Sequence, residues 1–327
     1  MDVKKPYRSL FWPILLITAG VLWLLSIMGV ISRESISSVL ALWPLILIII
    51  GLDMIFGRSS PVIGAIIALI AVIAVLVALI AGPAIGWNLN STMKHQSIEE
   101  PIGAALQTEI SFDFGSLPVE VYPLSNPNQL IQAEIDYFGS LNFSASGSST
   151  NRRITLSESS QTRVFTLADI NAEWRIGLTP NLPIDLRIDA GSGTGNLDLS
   201  TLRLTALRMD QGSGSYDVFL PPSTQAYTVE IDGGSGRLEV TLPQQGDITI
   251  IVDGASGSIR FNVPDGLAVR LEVRDEGSGS VSRSNRLNLV SDGEGDRGIW
   301  ESAGYEQAEH RVLIRVVELG SGSINIR

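Results

Sequence analysis

Apolar and polar positions follow two different patterns along the chain, and the change falls near residue 87. Before it, apolar residues come in long runs over residues 10–31, 39–56 and 61–82, the first without a single charge. Runs of this length cross a hydrocarbon core of about 30 Å as helices. They predict a transmembrane domain over residues 1–87 with three helices, about 10–31, 39–56 and 61–82. The first run exceeds the ~7–15-residue core of a signal peptide, and no small-residue cleavage site follows it, so it reads as an uncleaved span.

Beyond residue 104 the period becomes two. Tyr227, Val229 and Ile231 alternate with Thr228, Glu230 and Asp232, and Ile248, Ile250 and Val252 repeat the pattern. Tyr216, Val218 and Leu220 run into Pro221; Leu238, Val240 and Leu242 into Pro243; Ile259, Phe261 and Val263 into Pro264. Such alternation puts one set of side chains on each face of a strand. Between the two strands of each unit stands a Gly-Ser-Gly or Ala-Ser-Gly turn, so each unit reads as strand, glycine turn, strand, proline stop.

The turns recur at a nearly constant interval. Their serines are Ser192, Ser213, Ser235, Ser256 and Ser278, with gaps of 21, 22, 21 and 22 residues, and Ser321 follows after 43. The last gap predicts a unit that keeps its length but has lost the phrase. Two-strand units cannot bury an apolar face alone, whereas stacked copies share a continuous core. The expected fold is therefore an all-β, β-solenoid-like stack of two-strand repeats, with an antiparallel β-sandwich as the alternative. Glycine is expected at the corners for its access to positive φ. Residues 88–104 read as a linker, 105–188 as degenerate repeats containing Phe114-Gly115-Ser116-Leu117 and Phe138-Gly139-Ser140-Leu141, and 189–327 as the regular repeats. Before the last strand pair, a polar interruption suits a C-terminal cap, with a binding loop as the alternative.

Charge separates the two parts. Residues 1–87 hold five Lys/Arg and three Asp/Glu, whereas 88–327 hold 18 and 31. A net charge of −13 beyond the spans excludes a nucleic-acid partner, whose phosphates require a basic footprint. Near the membrane, Lys4, Lys5, Arg8 and Arg58 face one side while Arg33 and Lys94 face the other. The positive-inside rule then places the N terminus in the cytoplasm and the β part outside. The expected partners are the lipid bilayer and another membrane protein, with self-association as a further candidate contact.

Little catalytic chemistry is visible. With no cysteine in the chain, disulfides, thiolate metal sites and thiol nucleophiles are excluded. The two histidines, His95 in the linker and His310 at a strand edge, support neither a metal cluster nor a Ser-His-Asp arrangement. No cofactor and no catalytic residue is expected. Asp53 is the carboxylate inside a span; it reads as an interfacial group beside Arg58, or alternatively as an interhelical or ligand contact. Asp189, Asp210, Asp232, Asp253 and Asp275 each stand three residues before a repeat serine and would stack into an acidic column. Capping of the local turn amides is the simplest role for them, and weak binding of a cation such as Ca²⁺ is the alternative.

Two groups of residues carry a family resemblance. Trp12-Pro13 with Gly20 and Trp43-Pro44 with Gly51 resemble the LiaI/LiaF-type transmembrane region of bacterial envelope-stress proteins. The acidic Gly-Ser-Gly repeats, with Trp300-Glu301-Ser302-Ala303-Gly304-Tyr305 ahead of the last strand pair, resemble the C-terminal toast-rack domain of LiaF-like and adhesin-like proteins. That resemblance implies a non-enzymatic, multi-pass membrane protein of the cell envelope that senses or regulates envelope stress through protein contacts, restraining a histidine kinase in the signalling case. An adhesin-like or structural ectodomain without signalling is the other reading. Members of the family often have four spans where this chain shows three.

Overall fold

A computed structural model describes residues 93–159, 172–275, 277–293 and 297–327, together with Gly20, Ile70 and Ile73, which are helical. The chain divides into two compact units, Met1–Thr92 with Gln161–Asn171, and Met93–Ser160 with Ala172–Arg327. Apart from Gly20, Ile70 and Ile73, the three expected spans lie outside the described residues. Among the described residues no helix is long and apolar enough to cross a membrane.

The second unit is built from strands. Its first part contains β1 (Lys94–Pro101), β2 (Gln107–Asp113), β3 (Val119–Pro123), β4 (Gln129–Tyr137), β5 (Ser140–Gly147), β6 (Asn151–Ser159) and β7 (Trp174–Leu178). The middle contains β8 (Pro183–Asp189), β9 (Thr194–Asp198), β10 (Arg203–Gln211), β11 (Ser215–Phe219), β12 (Ser223–Gly233), β13 (Arg237–Thr241), β14 (Gly246–Asp253) and β15 (Ser258–Asn262). The last part contains β16 (Ala268–Val273), β17 (Ser280–Ser282), β18 (Leu287–Asp292), β19 (Gly298–Ser302), a 3-10 turn at Tyr305–Gln307, β20 (Arg311–Glu318) and β21 (Ser323–Ile326).

Among the described residues these strands form a ten-stranded sheet, β1-β4-β7-β3-β9-β11-β13-β15-β21-β17, and an eleven-stranded sheet, β18-β19-β16-β20-β14-β12-β10-β8-β2-β6-β5. Each turn of the coil places one strand in each sheet, and successive rungs run parallel, as in β8/β9, β10/β11, β12/β13 and β14/β15. Parallel register of this kind makes the body a β-solenoid and not an antiparallel sandwich. Inward side chains line up from rung to rung: Phe112, Ile188, Met209, Ile231, Val252 and Val316 in one sheet, and Leu197, Val218, Val240 and Phe261 in the other, all buried. Burying each such side chain contributes about 1.5–3 kcal/mol. At the other end of each rung Leu220 and Leu242 donate their N–H to Thr241 and Asn262, 3.0 Å away. The proline that follows has no N–H to offer, so the ladder stops there.

The glycine corners work differently from the expectation. Positive φ occurs at Gly191 (54°), Gly254 (65°) and Gly277 (56°), but not at the other glycines of the repeated turns. What those positions require is room. A Cβ on Gly234 would lie 1.5 Å from the carbonyl oxygen of Gln211, on Gly236 1.9 Å from that of Gly214, and on Gly257 2.0 Å from that of Gly236. The corners approach this closely because their backbones are bonded rung to rung, with Ser213 N–H to Gly191 O (2.9 Å), Ser235 N–H to Gly212 O and Ser256 N–H to Gly234 O (both 3.0 Å).

Two further expectations need correction. Residues 94–101, placed in a linker by their polarity, form β1, because an edge strand beside β4 needs only one buried side chain, Ile98. The 43-residue gap before Ser321 does not hold a complete rung. It holds β18 and β19, which extend one sheet by antiparallel pairing, and the 3-10 turn. The chain then returns inward, and β20/β21 insert between β14/β15 and β16/β17, so sequence order and spatial order part company. The opposite end does the same: β2/β3 lie between β6/β7 and β8/β9.

One buried group is poorly matched to its surroundings. Gln211 is fully buried, and neither its Oε1 nor its Nε2 has a hydrogen-bond partner. Leaving a buried amide unpaired costs roughly 1–3 kcal/mol. Gln211→Met should therefore raise the free energy of unfolding by about 1 kcal/mol in chemical denaturation. Under the same measurement Gly234→Ala should lower it by about 3 kcal/mol or more through the backbone clash, while the adjacent Ser235→Ala, at an exposed side chain, stays within about 0.5 kcal/mol.

Candidate functional site

The repeated corners bring one polar residue per rung to the same edge of the solenoid. In the eleven-stranded sheet Asp113 pairs in register with Asp189, Asp189 with Asp210, Asp210 with Asp232, Asp232 with Asp253, and Asp253 with Glu318. Neighbouring strands lie about 4.8 Å apart, so six exposed carboxylates form a continuous row. Asp275 follows beyond Glu318: its backbone carbonyl accepts the Leu319 N–H, its Oδ1 accepts the Gly277 N–H at 2.9 Å, and Arg297 approaches to 3.9 Å.

Asp113 and Glu318 were missing from the column read in the sequence. Each nonetheless obeys its rule, standing three residues before Ser116 and Ser321. A search on that spacing alone, without demanding glycine on both sides of the serine, finds both.

The nearest cations are already engaged. Arg187 and Arg208 stand two residues before Asp189 and Asp210 on the same face, and Arg187 reaches Glu109 at 3.2 Å while Arg208 binds Asp185 at 2.8 Å and Glu230 at 3.1 Å. The row therefore carries its own repulsion. Partial burial and the neighbouring Asp189 push the Asp113 carboxyl above the usual range, and partial burial with Asp189 and Asp232 does the same to Asp210. Among the described residues no group of three or more His, Asp or Glu side chains is arranged to hold a metal ion.

Beside the carboxylates runs a row of exposed serines in the spatial order Ser192, Ser213, Ser235, Ser256, Ser321, Ser278. The backbone around them carries the rung-to-rung bonds, including Gly322 N–H to Ala255 O at 2.9 Å and Ser278 N–H to Gly320 O at 3.0 Å. The edge is thus a hydrogen-bonded strip of hydroxyl and carboxylate columns.

Elsewhere the sequence motifs have structural roles. Trp300 is buried in β19 under the Arg283 guanidinium, 4.1 Å from its ring. Glu301 binds Arg270 at 2.6 Å, Ser302 Oγ accepts the Val269 N–H at 2.9 Å, and the Tyr305 ring lies 4.7 Å from Arg270. Trp300 to Tyr305 thereby fasten the final detour onto β16. A nearby cleft of about 330 Å³ is lined by Val263, Leu267, Leu287 and Ile326; Arg286 at its rim is already bound to Asp265 and to the Val263 carbonyl. His95 lies in β1, and His310 precedes β20 with its Nδ1 unpartnered. Gly20 is helical and exposed, whereas Trp12, Pro13, Trp43, Pro44, Gly51 and Asp53 lie outside the described residues.

Raised carboxyl pKa values have a definite sign. A carboxyl whose folded value exceeds its unfolded one binds protons preferentially in the folded state, so stability rises as pH falls through the raised value. Asp210→Asn should stabilise the domain at pH 7 by roughly 0.5 kcal/mol, the scale of opposed like charges on a sheet face. Unfolding curves taken from pH 4 to pH 7 should also show a smaller loss of stability with rising pH than the unsubstituted chain.

Comparison with known proteins bears on both parts of the chain. Residues 10–55 match the LiaI-LiaF-like transmembrane region, and residues 88–241 match the N-terminal domain of toast_rack. No curated protein sequence is significantly similar to the chain. Among solved structures, a "putative cell adhesion protein" from Clostridium sporogenes ATCC 15579 superposes with a TM-score of 0.53 at 19% identity, covering 72% of this chain and 99% of its own. A "putative adhesin" from Bacteroides fragilis NCTC 9343 gives 0.27 at 11% identity, covering 72% and 97%. The first likeness concerns the fold of the β domain. The chain thus carries a segment that matches the LiaI-LiaF-like transmembrane region, followed by one that matches the N-terminal domain of toast_rack.

Proposed function

We propose that this protein is a non-enzymatic, multi-pass component of the bacterial cell envelope whose β domain senses or regulates envelope stress through protein contacts, restraining a membrane sensor kinase. The observation that carries this reading is the combination, in one chain, of the LiaI-LiaF-like transmembrane region with the toast_rack domain. The form of the β domain supports it. A solenoid with a continuous acidic and hydroxyl-bearing edge offers a long docking surface. A second reading, an adhesive ectodomain without signalling, is favoured by the fold shared with the Clostridium sporogenes protein.

The N terminus is cytoplasmic in this proposal and the β domain extracytoplasmic, as the distribution of Lys and Arg around the spans suggests. The absence of native cysteine makes the placement testable. Asn151 is exposed at the start of β6, and its structural bond to Ser148 Oγ uses the backbone N–H, so Asn151→Cys keeps the fold. A membrane-impermeant maleimide should label this variant in intact cells as fully as in lysed cells. Labelling only after lysis would place the domain in the cytoplasm. Deleting the gene separates the two readings: restraint predicts raised kinase-dependent transcription in unstressed cells, whereas unchanged transcription with lost surface attachment supports adhesion.

A further inference from the structure

The strand through which the chain enters the β domain is only weakly tied to the core. β1 is an edge strand of the ten-stranded sheet, paired only with β4, and of its eight residues only Ile98 is buried. The half that comes first in the chain, Lys94 to Ser97, contributes no apolar side chain to the core. Its side-chain anchorage is polar: Lys94 Nζ donates to the Gly139 carbonyl at 2.7 Å and lies 5.6 Å from the Tyr137 ring, and Ser97 Oγ donates to Glu134 at 2.8 Å.

At the centre of this half, His95 meets a carboxylate at each ring nitrogen. Nε2 lies 2.8 Å from Glu134 and Nδ1 2.9 Å from Asp136, both on β4. A neutral imidazole carries one N–H and cannot donate to both; the imidazolium can. Asp136 is held in place from behind, since its Oδ2 accepts the Glu173 N–H at 3.3 Å and its backbone carbonyl accepts Trp174 Nε1–H at 2.9 Å. The other charges near the cluster are Lys94 on β1 itself, Glu173 just before β7 and Arg175 on β7; Arg175 stands in register with Glu134 but is engaged by Glu120 at 3.1 Å and lies 3.8 Å from Glu173. The local balance is therefore acidic and favours the cation.

We propose that His95, Glu134 and Asp136 form a proton-operated latch that holds the first half of β1 onto the sheet and opens when the imidazole loses its charge. The hydrogen bond to Asp136 acts first and the neighbouring Glu134 adds to it, so the pKa of His95 lies above its ordinary value. A raised histidine contributes stability that is complete below the unfolded value of about 6.5 and is lost as pH rises through the folded value. Opening frees residues 94–97 while Ile98 stays anchored. That adds about 13 Å of extendable chain between the membrane region and the first residue fixed in the core. With the β domain extracytoplasmic as proposed above, external pH shifts the balance between the closed and the opened first half of β1, whichever partner the domain contacts.

Hydrogen exchange of the full chain in detergent micelles at pH 6 and pH 8 tests the latch, with each rate divided by the intrinsic rate at that pH. The β1 amides up to Ser97, and the β4 amides of Ile135 and Tyr137 that face them, should lose protection about twofold to fivefold at pH 8, the Boltzmann factor of an exposed ion pair, while β7 does not change. His95→Gln should show the low protection at both pH values, and His95→Arg, which keeps its charge, the high protection at both. With His310→Gln removing the other histidine, the remaining imidazole resonance should titrate above the ordinary value, with the same midpoint as the loss of protection. Equal protection at the two pH values, or a pH effect that survives His95→Gln, overturns the proposal.

Discussion

The close stacking of the glycine corners is the constraint on which the rest of the β domain depends. Each corner donates backbone N–H groups to the corner beside it, and at those distances a Cβ would sit about 2 Å from a carbonyl oxygen. A larger residue would push the rungs apart and break the corner bonds on both sides. Once the corners are locked, the strands leaving them must fall in register. Residues at equal distance from the turn then stack into columns, apolar inside and polar outside.

Column formation explains both the strength and the tension of the molecule. Inside, it turns a sequence of short strands into one continuous core, which none of the two-strand units could form alone. Outside, the same geometry forces six carboxylates into neighbouring positions, and the available arginines pair with other acids one row away. The protein keeps that repulsion within bounds by leaving the row in water, where like charges at strand spacing cost little. At β1 the balance differs. There a single histidine sits between two carboxylates, and the interaction depends on its proton.

Both ends of the solenoid depart from simple winding. At each end a rung is inserted between two others, and antiparallel strands complete the sheet edges: β1, β4 and β5 at one end, β18 and β19 at the other. The chain runs past the end of the stack, turns back and fills an internal place. Trp300, Glu301, Ser302 and Tyr305 hold the returning segment against β16, which accounts for a motif that has no part in the repeat.

Much of this was legible in the residues alone. A period of two, proline stops and a 21–22-residue interval specify strands, corners and parallel stacking, because each is a local requirement of backbone geometry and side-chain direction. The acidic column was legible for the same reason, and the three-residue spacing reaches Asp113 and Glu318 as well. Three features were decided only by the tertiary structure. One is the role of the glycines, since a clash with a neighbouring rung's carbonyl leaves no mark on a residue's own dihedral preference. Another is the membership of β1, whose polar residues look like a linker until β4 supplies their hydrogen-bond and ion-pair partners. The third is the order of the last rungs, because Ser256, Ser321 and Ser278 become neighbours through a fold-back that hydrogen bonds between distant residues select and no local pattern encodes.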